Sequence, residues 1–147
     1  MALAIPSPLL DAIRAHGERE YPRESCGLLL GAGAEPRRVT DVTPLRNANT
    51  EAPERRFALD PREHLDAQRE ARRHGLEVVG FYHSHPDHPA RPSVTDLAEA
   101  SWPGFSYVII AVTRGRAAAV HSYELAEDRG HFIQEEIIVT GQASPIS

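Results

Sequence analysis

The sequence has 147 residues, a length that fits one domain and leaves little room for a second. Its 16 basic residues, all of them arginine, stand against 21 acidic ones and give a formal net charge of -5, which argues against a nucleic-acid-binding protein. A single cysteine excludes an internal disulfide framework. No apolar run approaches the roughly 20 residues of a membrane-spanning helix, and residues 1–11 lack the basic region of a secretory signal. We therefore expect a cytoplasmic protein with no membrane partner.

The first part of the chain predicts one helix followed by strands. Ser7 in the N-cap position and Pro8 at the first helical position precede apolar residues at helical spacing, which predicts a helix over 8–19. A polar loop is predicted over 47–55. Short apolar or alternating runs predict three strands, over 25–31, 37–43 and 57–59.

A second helix is predicted after these strands. Asp60 provides a cap, Pro61 occupies the first helical position, and Glu63 provides an acid in the first turn. The helix is expected to run to about His74 and to end at Gly75.

The second half of the chain predicts mostly strands. The β-rich segment 77–84 predicts a strand, the segment 85–92 holds three prolines and predicts irregular structure, and 93–101 predicts a short helix. Three more strands are predicted over 107–113, 117–125 and 131–139, with a tight turn at 114–115 between the first two. Helices and strands are therefore interspersed, which predicts a mixed α/β fold with a mixed or largely antiparallel sheet.

Two histidines near the end of the 77–84 strand are the first candidate metal ligands. Residues two apart on a strand face the same side, so His83 and His85 would present both imidazoles together. Asp96 follows eleven residues after the second histidine, on the first turn of the next predicted helix and beyond a proline-stiffened loop. Two histidines and one aspartate match the three protein ligands of an open zinc site, which keeps a fourth position for water.

A hydrolytic zinc site also needs a carboxylate that is not a ligand, to move protons during the reaction. Glu24, which directly precedes the strand over 25–31, is the best candidate. Spacing and composition alone do not separate it from Glu20 or Glu51.

These residues also have simpler interpretations. Surface histidines are common, and an isolated His-x-His is more often incidental than ligating. Ser93 and Asp96 form a capping-box pattern at a helix start, which requires no metal. The two interpretations of Asp96 are compatible, and the combination of paired histidines, a stiff loop and an acid on a helix favours the metal site.

Taken together, Glu24, His83-x-His85, and Asp96 with Ser93 three positions before it resemble the JAMM motif of the MPN-plus (JAB domain) zinc metallopeptidases. That motif has an upstream glutamate, then His-x-His, then ten residues and an aspartate, and every element is present with this spacing. The match of all motif positions is far more specific than that of any single short pattern.

The resemblance extends beyond the motif. Asn47, the segment 57–61 and the segment 78–82 are similar to the family, and the likeness covers roughly residues 8–125. It implies a single cytidine-deaminase-like JAB/MPN-plus domain over 1–147, with a curved mixed sheet flanked by helices.

The same resemblance implies a zinc isopeptidase or peptidase with one Zn²⁺ per chain. His83, His85 and Asp96 would bind the zinc, and Glu24 would be the general base and later the general acid. Ser93 would donate a hydrogen bond to the oxyanion of the tetrahedral intermediate, an effect of roughly 3 kcal/mol by analogy with other oxyanion donors.

The resemblance and the short chain also indicate a substrate. The minimal bacterial members act in several cases on the C-terminal tail of small ubiquitin-like sulfur-carrier proteins, and one described activity releases cysteine from such a tail. We expect such a carrier protein as substrate, bound by pairing of its extended tail with a sheet edge. Two alternatives stay open: a general deubiquitinase-like or small-peptide hydrolase, and a non-catalytic MPN-type binding module. The sequence does not fix the oligomeric state.

The remaining candidates have structural interpretations. Cys26 lies in an apolar run and is expected to be a buried core thiol, and Trp102 is expected to be a packing anchor. His88, in the loop near the proposed ligands, is expected to be solvated. The other histidines have no partner pattern and are expected on the surface: His16, His64, His74, His121 and His131.

Overall fold

The structure is a computed structural model that describes residues 2–141. Residues 1 and 142–147, which the predicted domain includes, lie outside the described residues. In chain order the elements are β1 (Ala2–Pro6), α1 (Ser7–Glu20), β2 (Cys26–Ala32), β3 (Arg37–Leu45), α2 (Pro61–Arg73), β4 (Glu77–Pro86), α3 (Val94–Glu99), β5 (Ser106–Thr113), β6 (Arg116–Leu125) and β7 (Phe132–Thr140).

The strands form one closed sheet in the order β1-β3-β2-β4-β5-β6-β7, and pairing of β7 with β1 closes it. The pairs β1–β3, β1–β7 and β4–β5 are parallel, and the other pairs are antiparallel. A parallel pair needs a long crossover, and between β4 and β5 that crossover contains α3. The predicted mixed α/β fold with a mixed sheet flanked by helices is confirmed.

Side chains alternate between the two faces of the sheet, and each face carries one long helix. On β2, Leu28 belongs to a buried cluster that contains Ala71 of α2, whereas Leu29 belongs to a cluster that contains Ile13 of α1. On β4, Phe81 lies on the α2 face. Because strand residues two apart share a face, the side chains of residues 83 and 85 also lie on that face.

The two long helices begin differently. Asp60 caps α2, and its side chain accepts hydrogen bonds from the backbone N–H groups of Arg62 and Glu63, as predicted. The prediction that Ser7 is the N-cap of α1 is wrong, because Pro6 holds that position without a side-chain cap and Ser7 is the first helical residue. Pro6 also ends β1, so strand and helix follow each other without a loop.

Three predictions about strands need correction. β1 was not predicted, because five residues with no turn signal carry too short a pattern and its partners lie far along the chain. Residues 57–59 are extended but pair with no strand among the described residues. β4 continues through His85 and Pro86, which the prolines of 85–92 had placed in irregular structure.

Within residues 2–141, none of the helices is both long and apolar enough to cross a bilayer.

Candidate metal centre and active site

Strand β4 carries His83 and His85 on the α2 face of the sheet, next to its parallel partner β5. Both histidines are buried, with 3% and 6% of their surface exposed. Their Nε2 atoms lie 3.1 Å apart, as the strand period of two predicts. Ser84, between them, points to the opposite face, where its Oγ accepts a hydrogen bond from the backbone N–H of Ser25 at 2.8 Å.

The third candidate ligand, Asp96, reaches the histidines from the first turn of α3. Its Oδ2 lies 2.9 Å from His85 Nε2, and its Oδ1 lies 3.2 Å from His83 Nε2. The three residues form the cluster of potential metal-ligating side chains found among the described residues. The structure therefore brings the three predicted ligands together at one point.

Neighbouring groups fix the orientation of both imidazoles. The carbonyl oxygen of Pro89 accepts a hydrogen bond from His85 Nδ1 at 2.9 Å, which turns Nε2 toward Asp96 and makes Nε2 the nitrogen that a metal would take. Phe57 stacks on the ring of His83 with the centroids 4.6 Å apart. Residues 57–59 thus pack against the site, which explains their apolar pattern without a strand.

The electrostatics of the cluster follow from burial and from the shared aspartate. Burial lowers the pKa of His83. Burial is also the largest single influence on His85 and acts against its charged form, but the hydrogen bond and charge of Asp96, together with Pro89 and Glu24, outweigh it and raise the pKa of His85. For Asp96, burial favours the neutral acid, yet hydrogen bonds from both histidines hold its pKa well below the usual range. The aspartate is therefore charged and the His83 imidazole is neutral at pH 7, as ligands must be.

These atoms fit a zinc ion. Donors bound tetrahedrally at about 2.0 Å would lie about 3.3 Å apart, close to the 3.1 Å between the two imidazole nitrogens and to the 2.9 Å and 3.2 Å between each imidazole and its nearer Asp96 oxygen. Two imidazole nitrogens and one carboxylate are the donor set of an open hydrolytic site rather than of a closed structural one.

Glu24 lies beside this cluster with its carboxyl group buried. Only 4% of the residue is exposed, and among the described residues its Oε1 has no hydrogen-bond partner. Burial raises the pKa of Glu24 from 4.5 to about 8, with Asp96 adding to the increase and His85 opposing it. Of the three glutamates that the sequence left open, this one lines the same cleft as His85.

The position of Glu24 is fixed through its backbone. Its N–H donates to the carbonyl of Pro53 at 2.8 Å, and its carbonyl accepts from Asn47 Nδ2 at 3.2 Å. Asn47 also donates to the carbonyl of Arg56 and accepts from the N–H of Ala58. The half-buried Asn47 amide therefore organises the loop after β3 and ties it to the glutamate, a role that the sequence did not predict.

Ser93 is the N-cap of α3, and it forms the predicted capping box with Asp96. Its Oγ accepts from the Asp96 N–H at 3.0 Å, while its own N–H donates to Asp96 Oδ2 at 2.9 Å. The hydroxyl proton of this exposed serine remains available for a ligand. The cap therefore positions the aspartate beside the two histidines as well as starting the helix.

Two hollows of different chemistry meet at the cluster. The first, called here the aromatic cavity, has a volume of about 420 Å³ and borders His83 and Asp96. Its wall includes the side chains Phe57, His64, Phe81, Trp102, Tyr107 and Phe132. The second, called here the cationic cleft, has a volume of about 340 Å³ and borders His85. Its wall includes Glu24, Arg55, His88, Arg91, Ser93 and Thr95.

The other predicted residues have mixed outcomes. Cys26 is a fully buried core thiol as predicted, and burial raises its pKa to about 12, so it is unreactive. His88 is exposed in its loop. Two histidines predicted on the surface are not there: His16 is buried with Nδ1 2.7 Å from Tyr82 Oη, and His64 is half-buried against Trp102.

Trp102 combines packing with exposure. Its ring stacks on Phe81 at 5.0 Å, as a packing anchor would, but 44% of it is exposed at the aromatic cavity. Trp102 is therefore a packing anchor, as predicted, and also part of the wall of the aromatic cavity.

Comparison with known proteins identifies the family. Residues 6–125 match the family described as prokaryotic homologs of the JAB domain, and the chain belongs to that family. A solution structure of a protein from Desulfitobacterium hafniense superimposes with a TM-score of 0.83 at 34% identity, covering 95% of this chain and 94% of that one. A JAB1/MPN domain protein from Archaeoglobus fulgidus shares the fold, with a TM-score of 0.59 at 20% identity and coverage of 93% and 98%.

Three similar proteins have names that describe an activity. The desampylase of Haloferax volcanii is 37% identical over 73% of this chain and 78% of that protein. A probable TtuB-protein conjugate cleaving protease of Thermus thermophilus is 39% identical over 80% and 75%. The CysO-cysteine peptidase of Mycobacterium tuberculosis is 31% identical over 95% and 92%.

Proposed function

We propose that the protein is a zinc-dependent peptidase or isopeptidase that hydrolyses the bond after the C-terminal glycine of a small ubiquitin-like sulfur-carrier protein. The observation that carries this proposal is the convergence of His83, His85 and Asp96 beside the buried carboxyl group of Glu24, whose Oε1 has no hydrogen-bond partner among the described residues. The names of the relatives support hydrolysis at a protein conjugate or at a protein-cysteine bond. The free thiol of Cys26 suits a reducing compartment, so we place the reaction in the cytoplasm.

In this proposal each residue of the site has one task. His83, His85 and Asp96 would hold a zinc ion, which when bound supplies Lewis acidity for a water and for the substrate carbonyl. Glu24 in its carboxylate form accepts a proton from the attacking water and returns it to the leaving nitrogen, and a zinc ion held beside it would lower its pKa and favour this form at neutral pH. Ser93 donates its free hydroxyl proton to the carbonyl oxygen as negative charge develops there.

The substrate tail would be held by the sheet as well as by the aromatic cavity. Residues 116–121 of β6 pair with β5, while the β7 pairing begins only at Ser122, so this stretch offers an edge to an extended chain. The aromatic cavity would take an apolar side chain of the tail and exclude water from that side of the reacting bond.

Metal analysis and two substitutions test the proposal. The purified protein is expected to bind one zinc per chain and to cleave a ubiquitin-like carrier protein of the same genome that carries a C-terminal extension. His85→Ala is expected to lose the metal, because it removes one of three ligands. Glu24→Gln is expected to keep the metal and to lose nearly all turnover, because an amide cannot accept the proton.

The controls separate metal binding from proton transfer. Zinc content is measured by elemental analysis, and turnover by the release of the extension. A metal-free protein that cleaves at full rate would contradict the assigned ligands. A Glu24→Gln variant with most of the activity would show that another group moves the proton.

A further inference from the structure

The two hollows beside the cluster place different chemistry on the two sides of a bound substrate. The aromatic cavity borders His83 and Asp96, and the cationic cleft borders His85 and Glu24. A peptide bond held at the cluster would thus have an apolar surface on one side and a basic surface on the other.

The position of Glu24 decides which side receives the leaving group. Under the proposed function, this residue returns a proton to the leaving nitrogen, so the two groups must be in contact. Glu24 lines the cationic cleft and is not part of the wall of the aromatic cavity. The leaving amine therefore departs through the cationic cleft, and the carrier tail lies on the aromatic side.

Two arginines lie on the wall of the cationic cleft. Arg55 and Arg91 line the cationic cleft from the loop after β3 and from the loop after β4. Both residues are exposed, and in the part of the chain that the structure describes neither guanidinium forms an ion pair. Apart from Glu24, the cleft wall contains no acidic residue that could neutralise them.

We infer that Arg55 and Arg91 bind the free α-carboxylate of the leaving amino acid, so that the enzyme prefers a carrier tail extended by a single residue. In such a substrate only the α-carbon separates the leaving nitrogen from the carboxylate, which places the anion in the cleft beside Glu24. Arginine presents a planar set of donors that matches a carboxylate. An isopeptide to a lysine side chain of a protein offers no carboxylate at this place. The inference rests on the proposed function.

Three forms of one substrate test this specificity. A ubiquitin-like carrier protein is prepared with one additional alanine as the free acid, with the same alanine as an amide, and with its terminal glycine joined to the ε-amine of an acetylated lysine amide. The native protein is expected to cleave the acid with a kcat/KM at least about fivefold above that of the amide and the isopeptide, an effect typical of partly exposed charge-assisted hydrogen bonds.

Substitution of the arginines should remove the preference and leave the chemistry intact. Arg55→Gln and Arg91→Gln are each expected to lower kcat/KM for the acid and to leave that for the amide unchanged, and the double substitution should equalise the two. Arg56→Gln is the matched control, since Arg56 lines the neighbouring hollow but not the cationic cleft. Equal rates for all three substrates, or equal losses on acid and amide in the variants, would overturn the inference.

A binding measurement keeps this test separate from that of the proposed function. The inert Glu24→Gln variant is titrated calorimetrically with the acid and the amide, and it should bind the acid several-fold more tightly unless both arginines are replaced. If the native protein cleaves none of the three substrates, the proposed function fails, and the binding comparison still decides the role of the arginines.

Discussion

At the scale of single residues, Glu24 combines a functional position with an energetic penalty. Its carboxyl group is buried, Oε1 has no partner within residues 2–141, and burial raises its pKa to about 8. An ionisable group that is buried without partners destabilises the fold when the group is charged. The residue proposed to transfer the proton is therefore one that the fold alone would not favour.

This penalty predicts a pH dependence of stability in metal-stripped protein. A carboxyl group whose pKa rises from 4.5 to about 8 on folding takes up a proton between these values, so its contribution to stability falls as the pH rises through this window. The variant Glu24→Gln has no such proton to take up. We expect it to be more stable than the native protein at pH 8, by an amount on the order of a few kcal/mol, and nearly equal to it at pH 4.

Denaturant unfolding with a chelator present, from pH 4 to pH 8.5, measures this difference. Other titrating groups are common to both proteins and cancel in the comparison. A difference in unfolding free energy that stays constant over the range would contradict the raised pKa of Glu24.

The sequence predicts some residues of the site better than others, for a physical reason. His83, His85 and Asp96 lie within fourteen positions on one strand and the next helix, so local periodicity places them together. Glu24 lies just before β2, far from the others along the chain, and its position depends on long-range hydrogen bonds to the loop of Asn47. Spacing contains no information about such contacts.

At the scale of elements, α3 depends on its cap. The helix has six residues, none of them buried, and its first turn is fixed by the reciprocal bonds of Ser93 and Asp96. The capping box was predictable from the sequence, because it is a local pattern.

The strand β1 was not predictable from the sequence. Its stability comes from pairing with β3 and with β7, which lies near the other end of the sequence.

A pair of cap substitutions separates the two roles of Ser93. Ser93→Ala and Asp60→Ala each remove an N-cap side chain, and each is expected to lower the unfolding free energy by about 1 kcal/mol. Only Ser93→Ala also removes the proposed oxyanion donor, so it should lower kcat by about a hundredfold. Thermal unfolding and the carrier-cleavage assay measure the two effects, and equal activity in the two variants would exclude the donor role.

At the scale of the whole molecule, a buried charge cluster joins four strands. Arg37 of β3 contacts Glu135 of β7 at 3.3 Å and also pairs with Glu124 of β6. The Oε2 of Glu135 accepts hydrogen bonds from Ser106 of β5 and Ser122 of β6. Ser106 begins β5, while the two histidines align with positions 109 and 111. The cluster therefore holds the barrel together at a distance from the site.

Removing the central carboxylate of this cluster should destabilise the barrel without changing the chemistry. Glu135→Leu leaves the buried Arg37 with one acidic partner and two serine hydroxyls without their acceptor, and we expect a loss of about 3–5 kcal/mol. The exposed neighbour provides a control, Glu136→Leu, which should cost far less. Chemical unfolding measures the unfolding free energy of both variants. The kcat of the folded fraction of each variant is expected to equal that of the native protein. Similar losses in the two variants would contradict a structural role for the cluster.

The parallel seam between β1 and β7 also determines how the molecule responds to force. Ala2 lies opposite Glu136 and Pro6 opposite Thr140, so Ala2 and Thr140 mark opposite ends of one ladder. Tension applied between these two residues loads all the ladder's hydrogen bonds together, in shear. Tension between Ala2 and Glu136 would instead break them one after another. In single-molecule pulling, the first geometry should therefore need the larger force, and the barrel would be mechanically anisotropic along its own seam.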